Sequence, residues 1–331
     1  MKLSAKPRSI TRTGDDTAAH SLMVYVWRMS EWHQPAVCLL AVLVAVLNLI
    51  PLELQRRIVN EVVETRDVSR LVTFGAAYAG IILLHQAVKY ALWMYQSWLT
   101  ESATLYTRRH LLTLYEKDKT DSGDGSGRAV SIVGAEVEKL GGFVGEGLSG
   151  ACANAAMLIG VAAYMFVVEP KIAIFALAFL IPQVLLTPFL QKRLNILIEE
   201  RVRMLRDLGD TISGKGSEIE DTGKGILDDI FGNRMRYFVL KFLLKSLLNL
   251  LNALGPITVL LFGGYLVMQG EVQLGVIVAF LSGFDRISSP LRELIGFYRV
   301  AAQANVQHGM IAKWMSARTG SPGSATRAPA D

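Results

Sequence analysis

Cysteine is nearly absent from this chain: its 331 residues include only Cys38 and Cys152. Both fall inside long apolar stretches, where they read as small buried apolar residues rather than a disulfide or a metal pair. None of the five histidines, His20, His33, His85, His110 and His308, stands at metal-ligand spacing from a cysteine or a carboxylate. Neither a nucleophile triad nor a paired-carboxylate site is recognisable, so the chain is expected to be no enzyme and to bind no cofactor itself. Residues 1–35 are polar and basic and lack a hydrophobic stretch of signal-peptide length. Alternating strands of about ten residues are also missing, which excludes a membrane β-barrel.

What the chain has in excess is apolar residues. They make up 51% of it, with 29 glycines on top, and the mean hydropathy is +0.35. They gather in long blocks, and the charges are pushed between them. That distribution marks a membrane protein rather than a greasy globular one. A net charge of +5 suits a membrane protein with basic inner loops and gives little reason to expect a nucleic-acid partner. A bilayer core about 30 Å thick needs about 20 apolar helical residues. Six stretches qualify: Ala36–Leu54 (continuing as an amphipathic helix to Val63), Leu71–Tyr95, Leu148–Val168, Ile172–Leu190, Phe242–Val267 and Leu274–Phe297. The fold class expected is an all-α membrane protein.

Orientation follows from Lys and Arg. With the N-terminus inside, 26 of the 34 fall on the inner side and five in the outer loops, so both termini are expected in the cytoplasm. The outer connections are short, whereas the inner ones, 96–147 and 191–241, run to roughly 50 residues each, long for structureless loops. Good helix formers continue the apolar stretches through Gln96–Tyr115, Leu190–Leu208 and Ile226–Lys241. The helices are therefore expected to overshoot the membrane by about 20 Å, at 1.5 Å per residue. The hairpin tips are expected at Thr120–Arg128 and near Asp207–Gly214. Residues 1–19 and 316–331 read as disordered tails, 20–35 as a short separate helix, and 36–315 as the six-helix domain.

Here the sequence resembles the transmembrane domain of type I ABC exporters, over about residues 20–315. Gly127–Val133 followed by Glu136–Leu140 is similar to the first coupling-helix region, and Arg201–Ile212 to the second. Gly264–Val267, Gly270-Glu271, Leu274-Gly275, Phe280 and Pro290-Leu291 follow the family's passage from fifth to sixth span. The resemblance implies a homo- or heterodimer of transmembrane domains in the lipid bilayer, opening alternately to each side. Its tips would sit in clefts of an ATP-binding partner that carries the ATP and Mg. The implied contacts are Arg128, Ala129, Val130, Ser131 and Ile132 in the first tip, and Arg206, Leu208, Asp210, Thr211 and Ile212 in the second. Leu22–His33 is implied to be an elbow helix on the inner membrane surface, a position that suits Trp27, Arg28 and Trp32.

Most such transporters continue into a nucleotide-binding domain; this sequence ends some 35 residues after Phe297, so the ATPase is expected on a separate polypeptide. Gly209–Lys215 has the Gly and Lys spacing of a phosphate loop, but Gly216 stands where a Mg-binding hydroxyl is required. Among candidate cavity residues, Asp285 with Arg286 lies in the sixth stretch, and His85 with Lys89 in the second; an ionisable residue in a span is a functional hypothesis. Tyr90, Trp93, Tyr95 and Trp98 read as an interfacial belt, with Lys89 snorkelling. Pro182, Pro188 and Gly255-Pro256 are expected to interrupt their helices. The expected function is the permease subunit of an ABC transporter in a bacterial inner membrane. The alternatives are a non-transporting regulatory or scaffold protein of the same fold and a truncated exporter remnant.

Overall fold

A computed structural model describes residues 6–10, 18–62, 67–118, 134, 136–213 and 219–319, and the regular elements among these are all helical. Among the described residues, six helical stretches are long and apolar enough to cross a membrane. The chain forms two compact units: Met1–Val161 with Ser289–Asp331, and Ala162–Ser288.

In the first unit, α1 (Leu22–Ser30) buries Leu22, Tyr25, Val26 and Met29, the i, i+3, i+4, i+7 stripe of an amphipathic helix. Ser21 caps its start by accepting a hydrogen bond from the Val24 N–H at 3.4 Å. Glu31, at φ 42°, ends it. Trp27 and Trp32 stay exposed, their rings edge to face at 6.1 Å. Residues 6–10, expected in a disordered tail, are docked instead. The Arg8 backbone N–H donates to Ser102 Oγ at 3.1 Å, and its guanidinium pairs with Glu31 at 2.6 Å and donates to the Met29 carbonyl. A cation against the last carbonyls of a helix answers its negative pole, which is why this part of the tail is held.

Next come α2 (His33–Leu47), α3 (Ile50–Arg57) with a π turn at Ile58–Val62, and α4 (Val68–Asp118). The 51 residues of α4 make a rod about 75 Å long, more than twice the bilayer core. Its apolar first half is exposed, whereas a stripe through Leu92, Leu99, Ala103, Leu111 and Leu114 is buried. Lys89 Nζ lies over the Trp93 ring at 4.9 Å, near the expected aromatic belt. After α5 (Val137–Gly142) and a π turn at Phe143–Gly147 comes α6 (Leu148–Val168), the expected third stretch to the residue. Cys38 and Cys152 are free and half-buried, not fully buried as expected, since each helix leaves part of that face uncovered.

Tyr25 carries the unit's clearest pH sensitivity. Its hydroxyl meets Thr107 Oγ1 at 2.7 Å, and burial pushes the phenol from 10.0 up to about 12. Above pH 10 the unfolded chain gives up this proton and the folded one keeps it. Stability should therefore fall by about 1.4 kcal/mol per pH unit until pH 12. Melting curves in detergent should show this extra alkaline loss in the wild type and not in Tyr25→Phe.

In the second unit, Glu169 is extended and Pro170 opens α7 (Pro170–Ala178) at its first turn, where a missing N–H costs nothing. The helix breaks at Phe179 and restarts as α8 (Leu180–Ser213). Pro182 explains the break, because it offers no N–H to the Ala178 carbonyl. Pro188 is accommodated inside α8. Then follow α9 (Ile219–Thr258), a π turn at Val259–Gly263, and α10 (Gly264–Met268). Gly270, at φ 75°, makes the turn into α11 (Leu274–Thr319), which runs past residue 316, where a disordered tail was expected. Lys171 and Glu271 join the two short turns at 2.9 Å.

Polar pairs set the register of the α8–α9 hairpin. Gln183 Nε2 donates to Asn252 Oδ1 at 3.0 Å, and Asn233 Nδ2 to Glu200 at 3.1 Å. The two pairs have nearly the same residue-number sum, as antiparallel helices require. The tip expected near Asp207–Gly214 is helical up to Ser213, and Gly214 lies outside the described residues. Gly209 is tolerated there, and the Thr211 hydroxyl folds back onto the Asp207 carbonyl at 2.8 Å.

Candidate functional site

The best-defined polar feature of the second unit lies where α9 loses regularity. Asn252 Oδ1 accepts two hydrogen bonds, from Gln183 Nε2 of α8 and from Ser288 Oγ of α11, each at 3.0 Å. All three residues sit in otherwise apolar helices, where polar side chains join helices because the surroundings offer no other partner. One turn on, Gly255 makes room for the Phe284 ring: a Cβ there would run into three of its carbons. Phe284 is 1% exposed, so the ring has nowhere to swing. Pro256 withholds the N–H that would bond the Asn252 backbone carbonyl, and the π turn at Val259–Gly263 follows directly. The expected interruption at Gly255-Pro256 is therefore a loosening of the ladder rather than a break. A polar node, a ring seated on glycine and a missing backbone bond coincide within three turns of one helix.

Asp285 and Arg286 follow Phe284 directly on α11; Asp285 is exposed and Arg286 half-buried. Exposure of a carboxylate on an apolar helix fits a residue that meets water or a partner. His85 is half-buried on α4, which belongs to the other unit.

The first unit has a cleft of about 490 Å³. Lys139, Phe143 and Glu146 line it from α5 and the following π turn, and Glu293, Phe297 and Arg299 from α11. The Phe143 and Phe297 rings stack at 6.2 Å and 16°. Charges of both signs around an apolar floor suit an amphipathic molecule, and the volume is that of a small-ligand site.

Of the expected coupling residues, Arg128, Ala129, Val130, Ser131 and Ile132 lie outside the described residues. Arg206 is exposed and Leu208 and Thr211 half-buried near the end of α8; Asp210 and Ile212 are on the same helix, their side chains outside the described residues. Gly209 stands inside that helix, not after a buried strand, so Gly209–Lys215 lacks the setting of a phosphate loop. Among the described residues no group of His, Cys, Asp and Glu is arranged to hold a metal ion.

Sequence reasoning missed the Asn252 node, the Phe284–Gly255 contact and the Arg8 dock. Gln183 and Asn252, isolated amides in apolar runs, were the available signal for the node. Arg8 left none, since a hydroxyl, a carboxylate and a backbone carbonyl well along the chain hold it, and each is ordinary in its own surroundings.

A family model described as ABC transporter transmembrane region matches residues 35–200. No curated protein matches the chain.

Proposed function

The chain belongs to the ABC transporter transmembrane region family, and from that premise we propose that it is a permease subunit moved by ATP hydrolysis on a separate polypeptide. The observation that carries this reading is the length of the helices. The 51-residue α4, the 34-residue α8 and the 40-residue α9 exceed the roughly 20 residues a bilayer needs. The surplus reads as helical stalk, and the Lys and Arg bias supports a cytoplasmic place for the stalks and both termini. Rigid stalks suit the transmission of a partner's closure into rotation of helices. The exposed apolar half of α4 suits lipid or a second transmembrane subunit.

ATP and Mg are held by the partner in this scheme. Arg206 near the end of α8 and Arg128 in the other tip are the proposed contacts. The mixed-charge cleft beside Phe143 and Phe297 is the proposed station for an amphipathic substrate. Asp285 and Arg286 are the proposed polar residues of the transport path. The loosened backbone ladder of α9 at Pro256 is the proposed source of the compliance that alternating access needs.

Tagged protein extracted gently from its native membrane should bring down an ATPase in stoichiometric amount. Arg128→Glu with Arg206→Glu should lower the hydrolysis rate of that complex at least about tenfold, the equivalent of about 1.4 kcal/mol of coupling. A chain that purifies alone, with no ATPase, overturns the proposal and leaves a scaffold of the same fold.

A further inference from the structure

The cleft beside Phe143 and Phe297 has two walls whose register is fixed at two levels. The stacked Phe143 and Phe297 rings mark the first. Tyr25 marks the second: its ring meets His308 at 5.7 Å and its hydroxyl meets Thr107 at 2.7 Å. Beside Thr107, Arg108 donates to the Gly134 carbonyl at 2.9 Å. Residue numbers therefore rise on α11 from 297 to 308 as they fall on the other wall from 143 towards 134. The walls run antiparallel.

That register sorts the charges of the cleft. Glu146 comes after Phe143 and Glu293 before Phe297, so both acids lie on one side of the ring pair. Lys139 comes before Phe143 and Arg299 after Phe297, so both cations lie on the other side. At 1.5 Å per helical residue, acids and cations stand about 9–10 Å apart along each wall. Glu146, Glu293 and Arg299 form no ion pair among the described residues, and Lys139 reaches Glu136 at 3.9 Å. At the cation end the cleft is lined by Gln307, only 4% exposed, whose side chain makes no hydrogen bond among the described residues. A carboxamide both donates and accepts, and burying one unpaired is unfavourable.

We infer, on the reading of this cleft as the substrate station, that its ligand is a short peptide of about three residues, charged at both ends and apolar in the middle. Its ammonium sits between Glu146 and Glu293, and its carboxylate meets Lys139 and Arg299. The central side chain rests on the Phe143–Phe297 pair. An extended chain covers about 3.3–3.6 Å per residue, so three residues span the distance between the two charged ends. Charge-assisted hydrogen bonds hold each end more strongly than neutral ones would. A peptide also brings amide N–H and carbonyl groups, the two kinds of partner that Gln307 lacks. A choline headgroup has no N–H and would leave the acceptor of that carboxamide unpaired.

The test is binding of the tripeptide Ala-Phe-Ala to the full chain in a non-ionic detergent, measured by equilibrium dialysis. One peptide should bind per chain. Acetylating its amine or amidating its carboxylate should each weaken binding at least about tenfold. Glu146→Gln with Glu293→Gln should remove the penalty for acetylation and keep that for amidation. Lys139→Gln with Arg299→Gln should do the reverse, an exchange that misfolding cannot produce. Gly296→Leu should abolish binding with little change in melting temperature, since Gly296 lines the cleft and an added Cβ there has nothing within 4 Å. Equal binding of the free and the doubly capped peptide overturns the inference, as does the absence of saturable binding. So does displacement by dodecylphosphocholine as effective as by the peptide itself, which would mark a site for amphiphiles in general. No ATPase enters the measurement, so lost binding leaves the split-transporter reading standing, and a missing ATPase does not alter the binding result.

Discussion

Alanine at Gly145 should lower the unfolding free energy by about 2–3 kcal/mol, while alanine at Gly142 should raise it by about 0.5–1 kcal/mol. Gly141, Gly145 and Ser149 recur every fourth residue and so share one face of α5 and α6. They meet Thr104, Thr100 and Gln96 of α4, which recur every fourth residue in the opposite direction. A Cβ on Gly145 would meet the Gln96 backbone carbonyl, with the Thr100 backbone N at 3.0 Å. Backbone atoms inside two helices cannot step aside, so the helices would have to separate. The damage would spread to the bond from Gln96 Nε2 to Ser149 Oγ, 2.8 Å long and buried. Gly142 has nothing within 4 Å of the same added atom, so it shows only alanine's better helix propensity. Unfolding of the three proteins in one detergent decides the matter by sign. If both alanines shift stability the same way, the close seam is absent.

Gly255 is the second position where one methyl group has a large expected effect. Gly255→Ala should cost about 2–3 kcal/mol, since its Cβ would enter the space of the buried Phe284 ring. Phe284→Leu alone should cost about 1–2 kcal/mol, because the smaller side chain leaves part of the ring's volume empty. Together they should cost at least about 1 kcal/mol less than the sum, because leucine vacates the volume that the alanine needs. Strict additivity in denaturant titrations would show that the ring does not rest on Gly255. The same four proteins, assayed with the ATPase partner, test the proposed role of the loosened α9 ladder. If its compliance serves transport, the double variant should recover stability more fully than turnover.

The helices were legible because their signal is carried residue by residue. Leu148–Val168 is apolar throughout and appears as α6 with those bounds. The continuation of α4 beyond Gln96 was also visible, since good helix formers carry on where the apolar run stops. The helical state of Asp207–Ser213 was missed because Gly209, Asp210 and Ser213 read as loop residues. A packed antiparallel partner overrides that weak local preference. Much of the candidate site was illegible for a related reason. Asp285 and Arg286 stood out as charges in an apolar run, but nothing local revealed that Asn252 joins Gln183 to Ser288. The mixed-charge cleft likewise draws on residues about 150 positions apart, and neither group is unusual alone.

The amino-acid sequence by itself determined that this is a helical membrane protein with six crossings and long stalks. Transfer of a side chain from water to hydrocarbon depends on that side chain and its immediate neighbours, so the pattern can be summed along the chain. Only the tertiary structure decided which faces meet: Gly145 against Gln96, Phe284 on Gly255, and Arg8 at the end of α1. Those contacts depend on the rotation and register of one helix against another, which close packing sets jointly for many residues.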